Sequence, residues 1–379
     1  MTKAKRNHFI PVCEPVIGKR EEQYVLECLR TRWISSAGKY VDRFEELMAK
    51  HYGVKHAVAV ANGTCAVHAA LLAAGVGPED EVIIPDFTLI VSASQVIMTG
   101  AQPVLVDVDP DTWCMDPEQV EKKITRRTKV IMPVHMYGHP ADMGALKKIA
   151  RKHGIKVVAD CAQAHGVEYQ GSEKAILGDM GTFSFYGNKV LTTGEGGMVV
   201  TDNTQFADKV RLLRNQAFVK PRFHHSELGY NYRITNIQAA IGTAQVEQFA
   251  KLVKMKRRVG KAYLKGLKGI DGLRLPVEKE WAKNVYWMFG MVLEKPIKIS
   301  RDHLMEKLRE RGVDSRAFFY PMHQQKVFRK NRQDNFPAVN GKYPVSKYLG
   351  AQGLYLPSGA EISQDDIRYV CDTVKELIQ

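Results

Sequence analysis

Between about His56 and Asp202, short β-branched runs alternate with stretches whose apolar residues recur every three or four positions. That alternation predicts an α/β domain around a mainly parallel sheet. The strand candidates are His56 to Ala61, Glu81 to Pro85, Pro103 to Val108, Thr128 to Val134, Lys156 to Ala159, Thr182 to Tyr186 and Gly197 to Thr201. Each is short and apolar along its length, as strands covered on both faces are. Helical patterns fill the gaps, for example Thr64 to Ala74, Asp142 to His153 and Thr204 to Asn215. From Thr235 to Leu267 the spacing predicts one long helix, with Gly266 and Gly269 as stop signals. A smaller second domain is expected beyond it: Asn284 to Leu293 as a strand, Arg301 to Arg311 as an amphipathic helix and Gln364 to Ile378 as a closing helix. The expected division is a large α/β domain over 1–250 and a small C-terminal α/β domain over 251–379. The segment up to about Tyr40 is expected on the smaller domain or across a dimer interface.

Composition narrows the class without naming a function. With 379 residues, 45% hydrophobic and 25% charged, the chain can bury a large core. Its six cysteines stand at 13, 28, 65, 114, 161 and 371, with no C-x-x-C pair and no zinc-like spacing. Neither a disulfide framework nor a metal site is expected, and the pattern fits a reducing cytoplasm. Met1 to His8 is basic but is not followed by a long apolar stretch, and no run approaches the ~20 residues of a membrane span. The excess of 55 Lys and Arg over 41 Asp and Glu gives a net charge of +14. These charges are scattered among acids, and the densest run, Lys251 to Arg258, lacks the aromatic residues of a nucleic-acid stacking platform. A solvated basic surface is the plainer reading, and it would suit a diphosphate-bearing substrate. No helix-turn-helix, zinc-finger or RNP-like segment supports a nucleic-acid-binding or regulatory role.

Three sites at predicted strand ends carry the chemistry. Asn62-Gly63-Thr64 falls where a strand gives way to a helix, a place whose free amides favour a phosphate, although an ordinary capped turn has the same pattern. Asp160 follows an apolar strand, where open α/β sheets bind ligands. A buried acid needs a partner, and a protonated pyridinium nitrogen is one; a helix cap is the alternative. Lys189 ends the run Thr182-Phe183-Ser184-Phe185-Tyr186-Gly187-Asn188-Lys189 and precedes Thr192-Thr193-Gly194-Glu195-Gly196-Gly197. Desolvated at a strand mouth, it would turn nucleophilic; taken singly it could equally be a surface lysine. Phosphate cradle, acid and lysine occur in that order, with Ser184 as a further phosphate ligand.

Asn62-Gly63-Thr64, Asp160-Cys161-Ala162-Gln163-Ala164-His165-Gly166, Ser184 to Lys189 with Gly194-Glu195-Gly196-Gly197, and Gly229-Tyr230-Asn231-Tyr232-Arg233 together resemble the DegT/DnrJ/EryC1/StrS family of sugar aminotransferases, nearly end to end. The resemblance implies an aspartate aminotransferase-like (type I) fold, with a mainly parallel seven-stranded sheet plus the smaller domain, and pyridoxal 5′-phosphate (PLP) as cofactor. Lys189 would carry the cofactor as a Schiff base and Asp160 would pair with its ring nitrogen. Gln163 would approach the ring hydroxyl, and Gly63, Thr64 and Ser184 would hold the phosphate. Asn231 would reach the phosphate from a neighbouring subunit, making a homodimer with shared sites. Arg233, His323 and Glu195 are candidates for substrate contact. Where many members place an aromatic residue over the ring, this chain has Leu89, with Phe87 or His165 as possible substitutes. A lysine at 189, where dehydratases of the family have histidine, implies amino transfer. Ser184 to Gly197 with Pro85-Asp86-Phe87-Thr88 is most similar to members that aminate C4 of GDP-4-keto-6-deoxymannose with L-glutamate as donor. A dTDP- or UDP-linked keto sugar, aminated at C4 or C3, is the alternative.

Overall fold

The computed structural model describes residues 9–221, 223–330 and 334–378, so the basic stretch Met1 to His8 lies outside the described residues. Seven strands form the main sheet: β1 (His56–Val60), β2 (Glu81–Pro85), β3 (Gln102–Val106), β4 (Thr128–Ile131), β5 (Lys156–Asp160), and, after the two-residue β6 (Glu168–Tyr169) outside the sheet, β7 (Met180–Ser184) and β8 (Gly197–Thr201). The spatial order is β1-β8-β7-β5-β4-β2-β3. Only β8 runs against the rest, pairing antiparallel with both β1 and β7.

Successive residues on these strands enter different cores, as the two-residue period of a strand requires. Val82, Ile84, Val130 and Val158 pack in one cluster. Ile83, Ile131, Val157 and Ala159 pack in the other. Both faces are therefore covered, which is why these segments read as unbroken apolar runs. Because β1, β2, β4, β5 and β7 all point the same way, their carboxyl ends meet along one edge, and β8 begins there.

A second, four-stranded antiparallel sheet is formed by Leu273–Arg274, Phe289–Leu293, Gly353–Leu356 and Arg316–Ala317, in that order. It has its own core, in which Phe289, Met291 and Leu293 meet Leu304, Leu308, Val370 and Val374 of the flanking helices. A boundary near residue 250 between these two bodies is our proposal for the domain division.

Two expectations change. The predicted helix from Thr235 to Leu267 is two helices, Asn236–Val246 and Phe249–Leu267. Neither Gly nor Pro breaks it. Tertiary ties hold the bend instead: Gln245 and Gln248 both donate to Glu21 Oε1, at 2.7 and 3.1 Å, while Glu247 accepts from Tyr24 and pairs with Arg20 and Arg43. The predicted strand from Asn284 begins only at Phe289. Asn284 Oδ1 accepts the Tyr286 amide at 2.7 Å and Tyr286 takes φ 52°, so the chain turns before it pairs.

The N-terminal segment serves both bodies. Ile10 bridges to Val313 beside the small sheet and joins its core. Helices α1 (Lys19–Thr31) and α2 (Lys39–Tyr52) pack on Asn236–Val246. The basic run Lys251 to Arg258 makes two turns of an amphipathic helix: Leu252, Val253 and Lys256 are buried, Arg257 donates to the carbonyls of Gly166 and Asn284, and Arg258 donates to those of Ala360 and Ile362.

Candidate active site

A cavity of about 290 Å³ opens at the carboxyl edge of the main sheet. Asn62, Gly63 and Thr64 line it after β1, Thr88 and Leu89 after β2, Asp160 at the end of β5 with Gln163 beyond it, Ser184 at the end of β7 with Tyr186 and Lys189 beyond it, and Glu195 before β8. Trp287 and Phe319 close it from the C-terminal half. The sequence-predicted residues Gly63, Thr64, Leu89, Asp160, Gln163, Ser184, Lys189 and Glu195 therefore share one wall.

Helix α3 (Gly63–Ala73) starts at the cavity, with Asn62 as its cap: Oδ1 accepts the Cys65 amide at 2.9 Å. Helix geometry leaves the amides of Gly63 and Thr64 without partners in the helix, and the positive end of the dipole faces the same space. No side chain fits at Gly63, since a Cβ there would lie 2.6 Å from Ser184 Cβ. Gly197 is constrained likewise, because a Cβ would lie 2.2 Å from the Asn62 carbonyl oxygen. Two glycines thus bring the α3 amides and the Ser184 hydroxyl close together in a cradle shaped for a phosphate.

Asp160 is 7% exposed, and its Oδ1 accepts the Ala162 amide at 2.9 Å. Burial pushes this carboxyl above the usual carboxylate range, against the Ala162 hydrogen bond and the nearby Lys189 charge. A cationic ligand group at the carboxylate would reverse that desolvation penalty. Gln163 is held by the Tyr137 amide, which donates to Oε1 at 2.7 Å, so its NH₂ group remains for another acceptor.

Lys189 is set by a short turn, its amide donating to the Tyr186 carbonyl at 2.9 Å. Behind it the loop folds back as Phe185 and Gly196 pair and Thr192 Oγ1 donates to the Phe185 carbonyl. Burial lowers the Lys189 amine to about 8, with Asp160 pulling the other way. Its Nζ lies 3.7 Å from the centroid of the Trp287 ring. A phosphate cradle, a buried acid awaiting a cation and a desolvated lysine fit pyridoxal phosphate, a group with an anionic tail, a basic ring nitrogen and an aldehyde. Among the described residues no group of three or more His, Cys, Asp and Glu could hold a metal ion.

The chain belongs to the DegT/DnrJ/EryC1/StrS aminotransferase family. The family pattern matches residues 15–375. The chain is 41% identical to a GDP-perosamine synthase of Caulobacter vibrioides over 371 residues, 97% of this chain and 98% of the relative. It is 39% identical to one from Escherichia coli O157:H7 over 370 residues, again 97% and 98% of the two chains. Among solved structures it is similar to S. venezuelae DesV in complex with a ketimine intermediate, with a TM-score of 0.87 and 34% identity, covering 95% of this chain and 94% of that one. The fold is thus the aspartate aminotransferase-like type I fold of pyridoxal-phosphate enzymes, and the chain is an aminotransferase.

Three sequence candidates lie off the cavity wall of this single chain. Asn231 is exposed and bridges to Asn215. Arg233 donates to Asn215 Oδ1 at 3.0 Å and lines a separate cavity of about 350 Å³ with Arg211 and Arg214. His323 is buried against Asp86. As for the ring-covering residue, Leu89 is at the wall and 47% exposed, whereas Phe87 packs against Tyr137 and Phe318, and His165 packs between Phe183 and Phe185. Trp287 and Phe319, which the sequence did not single out, add aromatic surface to that of Phe183 and Tyr186. The one signal for Trp287 was Asn284, a turn-forming residue three positions ahead of it.

Proposed function

We propose that this enzyme transfers the amino group of L-glutamate to the C4 ketone of GDP-4-keto-6-deoxymannose, giving GDP-perosamine and 2-oxoglutarate, with pyridoxal 5′-phosphate as cofactor. The convergence of Lys189, Asp160 and the Gly63–Ser184 cradle in one cavity carries the chemistry. The identity of about two residues in five, across nearly the whole length of two GDP-perosamine synthases, supports the substrate.

Bound there, the cofactor supplies an electron sink that acidifies the carbon bearing the amino group. Each protein group has a separate task. The Gly63 and Thr64 amides with the Ser184 hydroxyl hold the phosphate, fixing the ring relative to the sheet edge. The Asp160 carboxylate keeps the ring nitrogen protonated. The Gln163 amide donates to the ring hydroxyl. Lys189 would anchor the cofactor through Nζ; freed by the incoming amine, that Nζ would move a proton away from the glutamate Cα in the first half-reaction and onto the sugar C4 in the second. Trp287 and Phe319 keep water from the lysine.

We further propose a homodimer in the cytoplasm. Asn231 is exposed three residues after Leu228, which is 90% exposed, while Trp33 and Ile34 after α1 are also exposed. A second copy covering these apolar side chains would bring Asn231 to the neighbouring phosphate cradle. Six free cysteines suit a reducing compartment.

The test is a panel. Purified enzyme with glutamate is offered GDP-, dTDP- and UDP-4-keto-6-deoxyhexoses, and products are weighed by mass spectrometry. Amination of the GDP sugar in preference to the others is expected, and Lys189→Ala should form almost no product while staying folded. Preference for a dTDP or UDP sugar would overturn the substrate, and near-normal turnover by Lys189→Ala would overturn the site.

A further inference from the structure

We propose that Trp287 is a contact residue of the reaction whose indole face holds the Lys189 ammonium each time the released lysine carries a proton, keeping the proton carrier in place. This rests on the reading of Lys189 as the cofactor-bearing lysine.

Lys189 Nζ stands 3.7 Å from the Trp287 ring centroid, well inside the range of cation–π attraction, which is strongest over tryptophan and away from water. Among the described residues Lys189 makes no ion pair. Asp160 acts on it through its field, and the aromatic face is the surface in contact with the ammonium.

The ring is held by two contacts and the backbone of Trp287 by a third. Nε1 donates to the Asn188 carbonyl, next to the lysine, at 2.8 Å. The Trp287 carbonyl accepts from Lys256 Nζ at 2.7 Å. The ring stacks on Tyr137 at 6.2 Å and 19°, and the residue is only 4% exposed. An indole so held cannot swing away when the lysine is released. The charged or titratable groups around the pair are Asp160 at the end of β5, Glu195 and Tyr186 at the cavity wall, Cys13 of the N-terminal segment against the Asn188 carbonyl, His165, kept neutral by burial, Tyr137 stacked on the indole, and Lys256 on the Trp287 carbonyl.

A buried ammonium without a contact partner would lose its proton and wander. The π face stabilises the charged form and gives it one resting place.

The experiment uses the holoenzyme after treatment with glutamate alone, so that the cofactor is in its amine form and Lys189 is free. Acetic anhydride labelling of Lys189 is followed against pH by peptide mass spectrometry. In Trp287→Leu, which leaves an apolar side chain and loses the π face, the labelling midpoint should fall by about one pH unit, while Trp287→Phe, which keeps a weaker π face, should fall less. A second arm leaves packing intact: the four tryptophans are replaced biosynthetically by mono-, di- and trifluorotryptophan, and the midpoint should fall stepwise as fluorine withdraws charge from the ring. A midpoint unmoved by fluorination, or lowered equally in the Leu and Phe variants, overturns the proposal. Borohydride reduction of untreated holoenzyme, with the cofactor mapped onto Lys189, tests the underlying reading separately.

Discussion

The Asp86 carboxylate and the His323 imidazole meet at 2.6 Å, Oδ2 to Nδ1, across the junction between the end of β2 and the loop that follows the small-sheet strand Arg316–Ala317. Asp86 Oδ1 also accepts the His323 amide at 2.8 Å, the Asp86 carbonyl accepts the Met322 amide, and Tyr343 stacks on the imidazole. Thr88 and Leu89, just after Asp86, and Phe319, four residues before His323, line the cavity. The pair therefore ties two stretches of cavity wall together from behind. Breaking a buried, hydrogen-bonded pair of this kind costs roughly 3 kcal/mol. His323→Ala should lower the thermal midpoint clearly, while kcat/KM falls by no more than about tenfold. A much larger kinetic loss at an unchanged midpoint would show that the imidazole reaches the substrate.

Lys189 titrates near 8 because burial disfavours its ammonium. At pH 7.5 its neutral fraction is roughly two hundred times that of a lysine with the ordinary value. Loading of cofactor onto the apoenzyme, followed by the visible absorbance of the bound form, should accelerate with pH and level off above about 8. Asp160 opposes the shift, so Asp160→Asn should move this profile to lower pH. A wild-type profile still rising steeply beyond pH 10 would contradict the burial argument.

Gly63 leaves no room for a side chain beside Ser184. Gly63→Ala forces either Ser184 or the start of α3 to shift, a strain of about 1–3 kcal/mol. Cofactor affinity, measured by equilibrium dialysis, should weaken by roughly ten- to a hundredfold. An unchanged Kd would mean that the phosphate is held elsewhere.

Asn231 lies away from the cavity of its own chain. If it serves the partner's site, Lys189→Ala and Asn231→Ala proteins, each inactive alone, should recover activity after mixing and subunit exchange. About a quarter of wild-type activity is the expected ceiling, because half the dimers are mixed and each carries one intact site. Mixing without recovery, with exchange verified by mass spectrometry, would rule out shared sites.

Much of the site was legible because its residues sit at strand ends. A strand covered on both faces must be apolar throughout, so β2 and β8 were delimited in full by their patterns, and the first polar residue after such a run, Asp160 or Asn62, marks the carboxyl edge. Trp287 was not legible. It occupies a stretch as apolar as a strand, and the Asn284–Tyr286 turn before it is set by one side-chain hydrogen bond, Tyr286 amide to Asn284 Oδ1, and by the positive φ of Tyr286. The break between Asn236–Val246 and Phe249–Leu267 was hidden for a related reason, since Gln245, Glu247 and Gln248 are acceptable helix residues whose partners, Glu21, Tyr24 and Arg43, lie more than 200 positions away.

The sequence by itself determined the alternating elements and the order of cradle, acid and lysine, because periodicity and residue type are local properties, and the resemblance of those ordered motifs to sugar aminotransferases implied the kind of chemistry. Tertiary structure decided that β8 runs against its neighbours, that two glycines press α3 onto Ser184, and that His323 faces Asp86 behind the cavity wall. It also decided that a tryptophan from the other half of the chain lies on the lysine. Those relationships depend on which surfaces meet when the chain collapses, and contacts between distant residues leave no period in a sequence.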